Sequence, residues 1–142
     1  MLDLEQFLPY RLSVLSNQVS AGIAETYAER FGISVTEWRV IAILGRYPGI
    51  SATEVADRSA MDKVAVSRAV HRLIEQDRVL RRANADDRRA KHLFLSDQGR
   101  AVFDAIAPAA LAYEERLLTV LSQEEREQLD RLLDRLIKVS HP

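Results

Sequence analysis

The sequence predicts a mainly α fold, interrupted once by a two-stranded β-hairpin late in the chain. Three observations carry that expectation. Apolar residues recur at three- and four-residue intervals over most of the 142 residues, the periodicity of a helix with one buried face. Ser-x-x-Glu patterns stand at Ser34–Glu37, Ser51–Glu54 and Ser122–Glu125, each a reciprocal cap for the free N–H groups that open a helix. Finally, the short extended runs VLRR and HLFL bracket a polar loop, ANADDRRAK, as the arms of a hairpin bracket its tip.

Element by element, Leu4, Leu8, Leu12, Leu15, Val19, Ile23 and Tyr27 form one apolar stripe. They predict a long first helix ended by Gly32, with Pro9 in its first turns or bending it. Ser34 opens a second helix through Trp38, Ile41 and Leu44, closed by Gly45 and the Tyr47-Pro48-Gly49 turn, after which Ile50 reads as a single strand-like residue. Ser51 starts a third helix of about two turns, ending near Ser59. After a break at Met61-Asp62, with Asp62 as cap, a fourth helix runs from Lys63 to about Gln76. Its inward face is Val66, Val70, Leu73 and Ile74. Asp77 takes the left-handed end position that Gly usually supplies. The hairpin over residues 79–95 follows. Ser96-Asp97 caps a helix from about Gln98 to Leu121 that Pro108 should bend. Ser122 opens a last helix carrying Leu129, Leu132, Leu133, Leu136 and Ile137.

A short helix, a tight break, a second helix and a two-stranded hairpin are the parts of a winged helix-turn-helix. The expected organisation is a winged helix-turn-helix domain over residues 34–97, with dimerisation helices at 1–32 and 98–142. The outer helices carry more apolar surface than a small winged-helix core absorbs. Leu4, Phe7 and Leu8, with Leu132, Leu133, Leu136 and Ile137, would be exposed in a monomer, and such stripes mark an interface.

Apolar residues make up 47% and charged residues 29%, a globular composition. No apolar run approaches the roughly 18 residues that span a bilayer. The opening MLDLEQFLPYR puts two acids before its first Arg, unlike a signal peptide. With no cysteine, disulfides, thiolate metal sites and thiol redox sensing are excluded. The expected location is the cytoplasm. The net charge of −1 conceals an uneven layout: residues 58–92 hold ten Lys/Arg against five Asp/Glu, a balance of +5, while the segments on either side each sum to −3. Such a block steers a polyanion even when the whole chain is near neutral.

The basic block coincides with the fourth helix and the hairpin. Opposite its apolar face that helix presents Lys63, Ser67, Arg68, His71, Arg72 and Glu75, as a helix in the major groove of duplex DNA requires. Arg68 is the expected base reader, because a guanidinium can bond both acceptors of guanine. Ser67, Arg72 and Lys63 are expected on phosphates, and His71 on either. The competing reading is an amphipathic helix whose cations pair with neighbouring acids. At the hairpin tip, Arg89 is expected to enter the minor groove, where the negative potential is strongest. Asp87 would orient it by a charge-assisted hydrogen bond, with Arg88 and Lys91 on flanking phosphates.

Residues 66–99, VSRAVHRLIEQDRVLRRANADDRRAKHLFLSDQG, resemble the recognition helix, wing and following helix start of the MarR family of bacterial transcription regulators. Asp87-Arg88-Arg89, Leu95-Ser96 and Gly99 stand where the family's Asp-x-Arg…Leu-Thr…Gly signature would put them, and the likeness extends over essentially the whole chain. Asp77-Arg78 replaces the usual Gly-Leu, and Ser96 the commoner Thr; neither change removes a DNA-contacting group. The resemblance implies a homodimer joined through its first, fifth and sixth helices. A two-fold dimer would read a pseudo-palindrome with half-sites about 10 bp apart, most simply as a repressor. It also implies release by a small, often phenolic or otherwise aromatic anion bound where dimerisation helices meet the winged domain. Tyr10, Arg11, Trp38, Arg39 and Phe103 are the candidates there; the competing reading makes the aromatics core and pairs Arg11 with an acid.

An enzyme is not expected. His71, His92 and His141 have no metal-ligand spacing, and the chain lacks a Gly-rich phosphate loop and a nucleophile elbow, so neither metal nor cofactor is implied. The remaining rival is a winged-helix interaction module that binds another regulator. Cations at both the helix face and the hairpin tip argue against it.

Overall fold

The computed structural model describes residues 1–83 and 91–141. In chain order they form a single 3-10 turn (Leu4–Gln6), α1 (Leu8–Ala24), α2 (Ala28–Phe31), α3 (Val35–Arg46), α4 (Ala52–Ser59) and α5 (Lys63–Glu75). The antiparallel pair β1 (Val79–Ala83) and β2 (Lys91–Leu95) comes next, then α6 (Asp97–Leu118) and α7 (Gln123–Ser140). The chain falls into two compact units, Met1–Ala109 and Ala110–Pro142.

The first helix is not continuous to Gly32. Pro9 sits in the first turn of α1, where its missing N–H costs nothing. The helix then stops at Ala24; Thr26 folds its hydroxyl onto the Ile23 carbonyl at 2.7 Å, and the chain turns to bury Tyr27. Burial raises the Tyr27 pKa, and Arg39 opposes part of the rise. The short α2 ends at Gly32, in the left-handed conformation expected of it. An apolar stripe cannot report this break, because Tyr27 is still in phase with the helix that precedes it.

Helix α3 opens with a complete capping box: the Glu37 N–H donates to Ser34 Oγ at 3.1 Å, and the Ser34 N–H donates to Glu37 Oε1 at 2.8 Å. Gly45 does not terminate this helix, as expected from sequence, but lies inside it. A Cβ there would stand 2.7 Å from the Phe103 ring, so the glycine admits α6 close to α3. Ser51 caps α4 through the Glu54 N–H at 3.1 Å, without the return bond of a full box. Ala60, in the left-handed region, and Met61 make the turn into α5, whose cap is Asp62 accepting from the Ala65 N–H at 3.0 Å.

Val40, Ile41 and Leu44 of α3 meet Val55 of α4, Val66, Val70 and Leu73 of α5, and Leu93 of β2 in one core. Fully burying a side chain of this size stabilises by about 1.5–3 kcal/mol. Ala69, overlooked in the sequence reading, completes the inward face of α5, and Ile74 is only partly covered. Strand pairing runs from Val79↔Leu95 to Ala83↔Lys91. Ile50 adds the single bridge expected of it, to Leu93, with Leu93 N–H donating to the Ile50 carbonyl at 2.9 Å.

Ser96 ties the hairpin to both adjoining helices. Its Oγ accepts from the Gly99 N–H at 3.0 Å and donates to the carbonyl of Asp77, itself left-handed at φ 59°. Its own N–H donates to the Arg78 carbonyl at 3.0 Å. Any Cβ at position 99 would collide with that same carbonyl oxygen.

In the second unit, Ser122 and Glu125 close another capping box. Hydrogen bonds from the Ser122 backbone and hydroxyl hold the Glu125 carboxyl below the ordinary carboxylate range. Arg126 secures the preceding turn, with Nε on the Leu118 carbonyl at 3.2 Å and Nη1 on both Glu115 oxygens at 3.1 and 3.2 Å. No residue of α7 is buried. No described helix is long and apolar enough to cross a membrane.

Candidate nucleic-acid interface

The buried residues of α5, at positions 66, 69, 70 and 73, fix which side of the helix faces out. Lys63, Ser67, Arg68, His71 and Arg72 are all exposed. The cap at Asp62 and the packed inner face hold their backbone still while their side chains remain free. His71 Nε2 lies 3.1 Å from Glu75 Oε1, one turn on. Among the described residues this is the only close contact between a basic side chain of α5 and a carboxylate, and Lys63, Arg68 and Arg72 have no acidic partner among those residues. The competing reading, cations neutralised by neighbouring helices, is not what the structure holds at these three positions.

Ser67, Arg68, His71, Arg72 and Glu75 line an open cavity of about 410 Å³, and its far wall is Arg81 of β1. A second cavity, of about 440 Å³, places Arg81 with Lys91 and His92 of the hairpin against Ser51, Thr53 and Glu54 at the start of α4. Arg81 therefore joins the outer face of α5 to the hairpin base and the α4 N-terminus. His92 braces that base, its Nδ1–H donating to the Gly49 carbonyl at 2.5 Å. Arg82 projects from the same strand over the Phe94 ring, 5.5 Å from its centroid. Arg68 and Arg72 of the helix and Arg81 and Lys91 of the hairpin thus line two cavities that share Arg81, with Glu75 and Glu54 also in the lining, a cation-rich surface suited to a polyanion.

Lys91 is exposed at the start of β2. Asp87, Arg88 and Arg89 lie outside the described residues. Three residues that sequence reasoning did not assign to this surface belong to it or to its edge. Arg81 is one. Its signal was the +5 block combined with strand alternation, which places it on the face of Val79. Glu37 is another: only 3% exposed, it lines a notch of about 210 Å³ with Arg68 and Arg72. The third is Val64, exposed in the first turn of α5.

The proposed effector residues divide into two places. Trp38 packs between Tyr27 and Phe103, with ring centroids 5.9 and 6.1 Å away. Beside it, the Arg39 guanidinium donates to Ser20 Oγ of α1 at 2.8 Å. Tyr10 and Arg11 instead line a shallow depression on α1 with Glu5, Val14, Leu15 and Gln18. The proposed interface residues Leu4, Phe7 and Leu8, and separately Leu132, Leu133, Leu136 and Ile137, are all exposed. Among the described residues, no group of three His, Asp or Glu is gathered as a metal site would need.

Comparison with known proteins agrees with this geometry. A model of the MarR family matches residues 31–90, the span from the end of α2 into the hairpin. The HTH-type transcriptional regulator BilQ of Clostridium symbiosum is 25% identical over 135 residues, covering 95% of this chain and 93% of that protein. The HTH-type transcriptional repressor MdtR of Bacillus subtilis is 27% identical over 112 residues, covering 79% and 72% respectively. Among solved structures, a MarR/EmrR family transcriptional regulator from Acinetobacter sp. ADP1 superposes with a TM-score of 0.88 at 27% identity, over 99% of this chain and all of that one.

Proposed function

Because this chain belongs to the MarR family and is a transcription regulator built on a DNA-binding winged helix-turn-helix, we propose that it acts as a homodimeric, sequence-specific repressor in the cytoplasm. It is not an enzyme. In this reading residues 34–97 form the reading domain, and residues 1–32 and 98–142 the dimerisation helices. The α5 helix enters the major groove, with Arg68 on a guanine and Lys63, Ser67, His71 and Arg72 on bases or phosphates. The hairpin reaches the adjacent minor groove through Arg89, oriented by Asp87, while Arg88 and Lys91 hold phosphates. Two copies read half-sites about 10 bp apart.

The observation that carries this is the exposed face of α5, where Arg68 and Arg72, without an acidic partner among the described residues, line one cavity with Arg81 of the hairpin. Repression, rather than activation, is supported by the name of the Bacillus subtilis relative. Nothing in the comparisons favours a module that binds another regulator instead.

The test is binding to duplexes enriched from a random library, measured by fluorescence anisotropy across salt. Six or more phosphate contacts per dimer predict a loss of about a thousandfold in affinity between 50 and 200 mM salt. Salt-independent binding, or failure to enrich any duplex, rejects the reading.

Release by a small aromatic anion belongs to the same proposal. It is supported by the Tyr27–Trp38–Phe103 ring cluster beside Arg39; Tyr10 and Arg11 line a separate depression on α1 and are not part of that cluster. Trp38 is the sole tryptophan, so its fluorescence reports directly on that place. Adding a hydroxybenzoate should change Trp38 emission over the same concentrations that dissociate the duplex. Dissociation without an emission change would place the effector elsewhere.

A further inference from the structure

Val64 is the one large apolar side chain of α5 left in the open, 56% exposed in the first turn of the helix. Its exposure has no stabilising role. Valine is a poorer helix former than alanine, it covers no core residue, and the cap beneath it is made by Asp62 and the Ala65 N–H. Helical periodicity sets Val64 on the outward face one turn before Ser67 and Arg68, with His71 and Glu75 following. In a helix docked in the major groove, the N-terminal residues are those that meet base edges. Among base edges there, only thymine offers an apolar group, its C5-methyl; cytosine offers an amino donor at that edge instead. A valine against cytosine would leave that donor without a partner, which penalises binding.

We propose that Val64 is a thymine-reading residue, its methyl groups packing on the C5-methyl of one thymine in each half-site. The inference rests on the DNA-binding reading above and adds a base preference to it. One helical turn advances about 5.4 Å and one base step about 3.4 Å, so this thymine lies within about two steps of the base contacted by Arg68.

The test uses the full chain and a duplex enriched by the wild-type protein. Each thymine is replaced in turn by deoxyuridine, which removes the methyl and nothing else. For wild type, one position per half-site should weaken binding about fourfold, and about fifteenfold when both half-sites are changed, as expected for the loss of one buried methyl-sized group each. Val64→Ala should bind the thymine duplex correspondingly more weakly and be indifferent to deoxyuridine at that position, while Val64→Ile keeps the sensitivity. Undiminished binding by Val64→Ala, or deoxyuridine sensitivity in it equal to wild type at every position, overturns the inference and leaves duplex binding standing. If wild type enriches no duplex, the DNA-binding reading fails and this inference fails with it.

Discussion

Arg68 and Arg81 come from a helix and a strand, yet they face the same cavity. Their different visibility in the sequence has a physical cause. Arg68 lies opposite four buried positions of an amphipathic helix, and the 3.6-residue period shows this without any tertiary information. Arg81 belongs to a five-residue strand with one buried position, so alternation alone says little about what lies across from it. If Arg81 makes one phosphate contact in each subunit of the proposed dimer, replacing it by Ala should reduce the salt slope of duplex binding by about two. An unchanged slope, measured by anisotropy, would show that Arg81 only frames the cavity. For the hairpin tip, Arg89→Ala should weaken binding by about tenfold or more, equivalent to about 1.4 kcal/mol, with the melting temperature unchanged. Asp87→Ala should weaken it less, as the proposed role of that carboxylate in orienting Arg89 requires. A larger loss from Asp87→Ala than from Arg89→Ala would give Asp87 a structural role.

At the scale of elements, the junction of α5, the hairpin and α6 depends on one hydroxyl and one missing side chain. Ser96 both caps α6 and holds the Asp77 carbonyl, which any hydroxyl at this position can do, so Ser in place of Thr loses nothing there. Ser96→Ala should cost about 1–2 kcal/mol by chemical denaturation. Gly99→Ala should cost at least as much, because its methyl meets the Arg78 carbonyl oxygen. A neutral Gly99→Ala would mean the junction can open without penalty. At the start of α7, Glu125 titrates below its ordinary value because of Ser122. Its folded-state pKa is thus lower than its unfolded one. The resulting stability is present above the unfolded value and is lost as pH falls through the folded value. Acid should loosen the α7 N-terminus in wild type, and Ser122→Ala should reduce that pH dependence without abolishing it, because the backbone N–H of residue 122 still donates to the Glu125 carboxylate; NMR titration of the Glu125 side chain reads this.

For the whole molecule, the exposed apolar rows are what the proposed homodimer would cover. In α1 and in α7 no residue is buried, and Leu132, Leu136 and Ile137 are exposed by 52%, 47% and 63%. An 18-residue helix gains little from propensity alone and needs a packed apolar face. In the proposed homodimer a second copy supplies one. Leu132→Asp combined with Leu136→Asp should produce monomer in sedimentation velocity and lower operator affinity by about a hundredfold or more, since the advantage of linked half-sites is lost. A doubly substituted dimer that binds normally would move the interface off α7.

What the sequence determined by itself was local and periodic. The capping boxes at Ser34 and Ser122, the left-handed Asp77 and the single bridging residue Ile50 all follow from rules that span a few residues, and the structure bears each of them out; of the expected inward face of α5 it buries Val66, Val70 and Leu73, with Ala69 in place of Ile74. Tertiary packing decided the rest. Burying Tyr27 broke the first helix, the close approach of Phe103 turned Gly45 from a stop signal into a packing necessity, and the placement of the hairpin against α4 and α5 made Arg81 part of the cationic surface. Each of these outcomes depends on atoms distant in the chain but adjacent in space, and no short-range pattern encodes that adjacency.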